Sequence, residues 1–175
     1  MSFEIKIINK HNNFEYFDLI IEKSKNLYIN GFNEHYFNVV TFPSDYVICA
    51  FDINEKNKKL IGIASLIIDL TNKYSIKKCI NFNSFTICQK YRKHGIGYMM
   101  IDYLKKYGKL LNIDAIVLSV EYTLNEPNNK LINYYKKNGF NIFVPESNFF
   151  IKPKYANPVN NYFYENKETC MKCAI

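Results

Sequence analysis

The stretch FTICQKYRKHGIGYMMIDYL, Phe85 to Leu104, sets three basic side chains, Arg92, Lys93 and His94, directly ahead of Gly95 and Gly97, where helical periodicity begins. The first turn of a helix has N–H groups without intrahelical acceptors and carries about half a positive charge from its dipole. Glycines there remove the side chains that would hold an anion at a distance. The chemistry this spacing suits is the grip of a phosphate, and a diphosphate is the natural guest. Two familiar phosphate turns are excluded. No G-x-x-x-x-G-K-[ST] string occurs, and Gly95 and Gly97 lack the third glycine, and the first-strand position, of a dinucleotide-binding turn.

A turn of this kind needs a strand to deliver it and a helix to follow. Cys79 to Cys88 reads as the strand, and Gly95 to Leu111 as the helix, with Ile96, Met99, Met100, Tyr103, Leu104, Tyr107 and Leu111 stepping by three and four. Upstream, Phe3 to Asn9 alternates, with Phe3, Ile5 and Ile7 on one side. Phe14 to Ile29 carries a helical stripe of Phe17, Ile20, Ile21 and Tyr28, ending at Asn30 and Gly31. Phe32 to Phe42 is aromatic and irregular, read as a short helix and a loop before Pro43. Tyr46 to Ile53 and Leu60 to Leu70, β-branched and separated by NEKNKK, form a hairpin.

Downstream, Ile113 to Val120 is a continuous apolar run and so a buried strand. Pro127 to Asn138 is a helix carrying Leu131, Ile132, Tyr134 and Tyr135 and ending at Gly139. Phe140 to Val144 and Glu168 to Ala174 are the last strands. The segment between them holds three prolines and many aromatics, a length often given to function.

Composition narrows the rest. A chain of 175 residues that is 48% hydrophobic and 17% aromatic supports one domain, 1–175, with a sizeable core rather than disorder. Its longest apolar runs, such as IGIASLII, fall short of the roughly 20 residues a spanning helix needs, so no membrane role is expected. The opening MSFEIKIINKHNN has no cleavable-signal pattern, so the expected location is cytoplasmic and the five cysteines are expected to be reduced thiols. Cys170 and Cys173 make one C-x-x-C without a second pair or a nearby histidine; they read as strand residues, and no metal is expected. The net charge of +7 favours an anionic partner, but the lysine pairs are scattered and no nucleic-acid motif accompanies them. Arg92 is the sole arginine.

Arg92, Gly95 and Gly97 fill the fixed positions of Q/R-x-x-G-x-G/A, and here the chain resembles the GNAT superfamily of N-acetyltransferases. NNKLINYYKKNGF resembles that family's second signature through Asn128, Tyr135, Gly139 and Phe140. Gln89 stands where the family often has proline, and Leu131 where it has a small residue. The resemblance implies an α/β (α+β) GNAT-like fold: a mixed, mostly antiparallel sheet of about six or seven strands, splayed between the fourth and fifth and flanked by about four helices.

It implies acetyl-CoA as co-substrate. The pantetheine arm would lie in the splay, bonded by backbone near Ile87, Cys88 and Gln89. The amides of Lys93, His94, Gly95, Ile96 and Gly97 would hold the diphosphate, with Arg92 positioning the turn and Asn128 a further contact. Tyr135 would be the acid for the leaving thiolate. The base is Glu121, Asp69 or a water relay, with Glu121 the residue chosen; Cys88 is read as a structural thiol. The amine acceptor is a small molecule or a protein, with walls expected from Leu27 to Phe42 and from Glu146 to Tyr164. Homodimers are common in the family, though the chain carries no marker of one. A non-catalytic acyl-CoA-binding module and a basic nucleic-acid-binding protein are the alternatives.

Overall fold

The β-branched runs and amphipathic stripes become β1 (Phe3–Asn9), α1 (Phe14–Ile29), β2 (Tyr46–Asp52), β3 (Lys59–Asp69), β4 (Cys79–Ile87), α2 (Ile96–Leu110), β5 (Ala115–Glu121), α3 (Asn129–Lys137), β6 (Asn141–Ile142) and β7 (Glu168–Ala174). A single turn of 3-10 helix, Gln89–Tyr91, precedes α2. This computed structural model describes residues 2–29, 44–54, 58–71, 76–121, 127–143 and 168–175; the side chains of Asn26, Tyr28, Ile29, Glu121, Glu168 and Thr169 also lie outside the description. The expected helix and loop over Phe32 to Phe42 and the acceptor-side wall from Glu146 to Tyr164 fall outside the described residues. Three α-helices are described where about four were expected.

The strands form one sheet in the order β1-β2-β3-β4-β5-β7-β6. Each neighbouring pair is antiparallel except β4 with β5, because the chain between those two strands is the helix α2. Helices cover both faces. Val47, Cys49 and Phe51 of β2 pack with Phe17, Ile20 and Ile21 of α1, while Ile48 and Ala50 pack with Ile96, Met100, Ile101 and Leu104 of α2. A strand covered on both sides cannot alternate, so β2 and β3 read as near-continuous apolar runs. β1 splits the same way, with Phe3, Ile5 and Ile7 toward the α2 core and Ile8 toward the α1 core.

The splay between β4 and β5 is present in the register. Their parallel ladder holds only Cys79 with Ala115, Ile80 with Ile116 and Asn81 with Val117. Beyond it, Phe82 to Ile87 and Leu118 to Glu121 run on without pairing to one another. A bulge sits just past that point. The β3–β4 register slips between Ile63 and Ser65, with Ile63 opposite Thr86 and Ser65 opposite Asn83, and Ser84 takes a left-handed φ of 53°. Two residues of β4 then face one of β3, which bends β4 next to the place where it leaves β5.

Candidate active site at the open end of the sheet

The turn from Cys88 to Gly95 joins the free end of β4 to the start of α2. The Cys88 N–H donates to the Ile61 carbonyl at 2.8 Å, so Cys88 faces β3 and the main chain of Ile87 faces the gap. Arg92 folds back: its Nε donates to the Ile87 carbonyl at 3.0 Å. The Tyr91 N–H donates to the Cys88 carbonyl at 2.9 Å, and the Arg92 N–H to that of Gln89 at 3.2 Å. Both main-chain groups of Cys88 are therefore bonded within the protein. The strand alternation aims the N–H of Ile87 into the splay.

Lys93 and Gly95 have φ of 67° and 77°, an alternation that turns successive N–H groups inward. Gly95 is the N-cap of α2, with no side-chain cap and no acidic residue in the first turn. Met99 N–H makes the first helical bond, to the Gly95 carbonyl at 3.0 Å. Among the described residues, no protein acceptor takes the amides of His94, Gly95, Ile96, Gly97 or Tyr98. Arg92, Lys93 and His94 are exposed around them, and the His94 Nδ1 lies 3.0 Å from the Arg92 carbonyl oxygen. Bare amides, a helix dipole and three basic side chains stand together here, an arrangement that favours an anion. Ile96 is buried in the core, which fixes where the helix begins.

The two glycines serve different ends. A Cβ on Gly95 would meet open space, so its requirement is the left-handed backbone. A Cβ on Gly97 would overlap the Tyr134 hydroxyl and lie 3.2 Å from both the Ile87 and Phe85 side chains. Tyr134 of α3 therefore reaches across to the first turn of α2. Burial pushes its phenol up to about 12, so it carries its proton at neutral pH. Sequence reasoning passed over Tyr134 for its neighbour; the double tyrosine in NYYKK was the available signal.

Tyr135 is buried in the core, edge-on to Phe140 with ring centroids 5.6 Å apart and to Tyr134 at 5.3 Å. Burial, and then the adjacent Tyr134, push its phenol well above the usual range. Asn128 caps α3, its Oδ1 accepting from the Leu131 N–H at 3.1 Å. Glu121 was expected just past its strand; it is instead the last residue of β5, at the open end of the splay, with its side chain outside the described residues. Asp69 pairs with Cys79 at the closed end, where β4 and β5 are still bonded, and its carboxylate accepts from the Thr71 N–H and hydroxyl. That register removes Asp69 as a base. Cys170 and Cys173 lie three residues apart on β7 and so face opposite sides of the sheet, which rules out their chelating one ion together.

Residues 15–140 match the sequence model of the Acetyltransferase (GNAT) family, and the chain belongs to that family. Its members are acyltransferases. Among solved structures, the NatC complex bound to Gag peptide and CoA is 14% identical with a TM-score of 0.61, covering 100% of this chain and 99% of that one. The ribosomal-protein-S18-alanine N-acetyltransferase from Escherichia coli is 12% identical with a TM-score of 0.61, covering 99% and 94%. Arabidopsis thaliana Naa50, in complex with a bisubstrate analogue, is 18% identical with a TM-score of 0.58 and full coverage of both chains. At these identities the likeness is one of fold. A protein of Melanoplus sanguinipes entomopoxvirus, provisionally named a glycylpeptide N-tetradecanoyltransferase, is 25% identical over 94% of this chain and 54% of its own length. The chain thus spans about half of that relative.

Proposed function

We propose that the chain transfers an acetyl group from acetyl-CoA to a primary amine. The observation that carries this reading is the bare helix start at His94 to Tyr98, opening directly onto the end of an unpaired strand gap. The diphosphate of the coenzyme binds the amides, and the pantetheine arm runs into the splay as a surrogate strand, meeting the Ile87 N–H. Arg92, bonded to the Ile87 carbonyl, holds turn and strand end in register.

In the reaction the amine nitrogen attacks the thioester carbon, a C–N bond forms and the C–S bond breaks. The amine must be neutral first, and an alkylamine has a pKa of about 10.4, so its proton passes to a base or to water. Glu121, whose main chain ends β5 at the open end of the splay, is the base in this reading. The thiolate takes a proton from a phenol, and the second proton, which the nitrogen sheds as the amide forms, returns to that phenol through solvent. Tyr135 occupies the family's position for it, and Tyr134, whose hydroxyl abuts Gly97, competes for the role.

The peptide-bound and peptide-analogue complexes among the structural relatives make a peptide N-terminus one acceptor class to assay, beside small amines. Thermal shift with CoA tests the binding half, since a ligand bound only by the folded state raises Tm. Thiol release from acyl-CoAs of graded chain length, with small amines and peptide N-termini as acceptors, tests transfer. Binding without release for any amine would mark a non-catalytic module. Failure to bind CoA would reject the proposal.

A further inference from the structure

Of residues 89–95, Tyr91 alone is buried, at 5% exposure; the others of this turn are exposed. Its ring meets Phe3 edge-on, with centroids 6.4 Å apart. Its hydroxyl donates to Asp52 Oδ2 at 3.0 Å, and Asp52, at the end of β2, is itself only 6% exposed. The other carboxylate oxygen accepts from the Asn54 N–H at 3.0 Å and its side-chain amide at 2.9 Å. One buried carboxylate thus ties the end of β2 and the following bend to the single inward residue of the turn.

A turn that needed only packing would be served by phenylalanine. Burying a carboxylate is unfavourable unless it is paired, and the replacement of such pairs by apolar groups is often neutral for stability. What a directional bond adds is a fixed position: Tyr91 immediately precedes Arg92, and two residues of the turn sit in left-handed conformations.

We propose that Asp52 and Tyr91 are positioning residues for the coenzyme, holding the turn so that the amides from His94 to Tyr98 converge on one point. The proposal rests on the coenzyme-binding reading above. Neither side chain touches the coenzyme; both act through the main chain of the turn.

The test measures CoA affinity by titration calorimetry, and KM and kcat for acetyl-CoA, on the full chain and four variants. Tyr91→Phe keeps the ring and removes the hydroxyl; it should weaken CoA binding and raise KM roughly three- to tenfold with kcat within about twofold. Asp52→Asn, which retains an acceptor oxygen, should lose less than Asp52→Ala. Adding Tyr91→Phe to Asp52→Ala should cause little further loss, because the two act as one unit. Unchanged CoA affinity in a folded Tyr91→Phe, beside a wild type that binds, overturns this proposal alone. Should Tyr91→Phe not fold, equal affinities of Asp52→Ala and wild type overturn it. A wild type that binds no CoA overturns it together with the function proposed above.

Discussion

Replacing Gly97 by alanine puts a methyl group where the Tyr134 hydroxyl lies, with the Phe85 and Ile87 side chains 3.2 Å away. The hydroxyl sits at the end of a stiff side chain and the strand side chains belong to β4, so relief requires α3 to shift or the phenol to swing outward. Overpacking of this kind costs about 1–3 kcal/mol. For a chain of this size that is a fall in Tm of roughly 2–12 °C. Tyr134→Phe removes the atom in closest conflict, so the double variant should recover part of the loss. The expected coupling is about 0.5–3 kcal/mol, read from urea midpoints at constant m-value. Additivity within about 0.5 kcal/mol would mean that the Tyr134 hydroxyl does not lie over Gly97, and the account of that contact would fall.

At Gly95 the constraint is φ rather than space, so Gly95→Asn, which tolerates the left-handed region, should keep more CoA affinity than Gly95→Ala; equal affinities would show that the turn does not need that conformation. Hydrogen bonds, the Asn54 N–H first among them, hold the Asp52 carboxyl below its usual range. Its contribution to stability is therefore present above its unfolded pKa and lost as pH falls below about 4; Tm measured from pH 6 to 3 should drop more steeply in wild type than in Asp52→Asn. With its phenol pushed up to about 12, Tyr134 stays protonated to high pH. Turnover should therefore show no alkaline fall assignable to it below about pH 10, and Tyr134→Phe should leave the pH profile there unchanged. Asp69→Ala should retain wild-type turnover while Glu121→Gln loses it, which steady-state thiol release decides.

Much of the fold was legible in the sequence because period and composition change together at each boundary. The switch from β-branched runs to steps of three and four at Gly95 marked α2, and the strand ends fell within one or two residues of those expected through β5. Of the strand expected over Phe140 to Val144, Asn141 and Ile142 are in register with β7 and the Phe143 N–H also donates to the Cys170 carbonyl, while Val144 lies outside the described residues. The bulge at Ser84 gave no sequence signal, since a serine in a left-handed conformation depends on tertiary context.

At the site, the glycine spacing announced the bare helix start, which depends on local backbone. The engagement of Cys88 by β3, the reach of Tyr134 to Gly97 and the removal of Asp69 depend on strand register and helix packing, which join residues far apart in the chain. Asp52 lies 39 positions before Tyr91, and nothing local in either segment signals the pairing.

The central claim is that main-chain nitrogens at the start of α2 hold the coenzyme diphosphate. Titrating CoA into the 15N-labelled chain and following backbone amide shifts tests it residue by residue. The account predicts that His94, Gly95, Ile96, Gly97 and Tyr98 show the largest shifts, saturating together. Saturable CoA binding that leaves those five amides unmoved would contradict it.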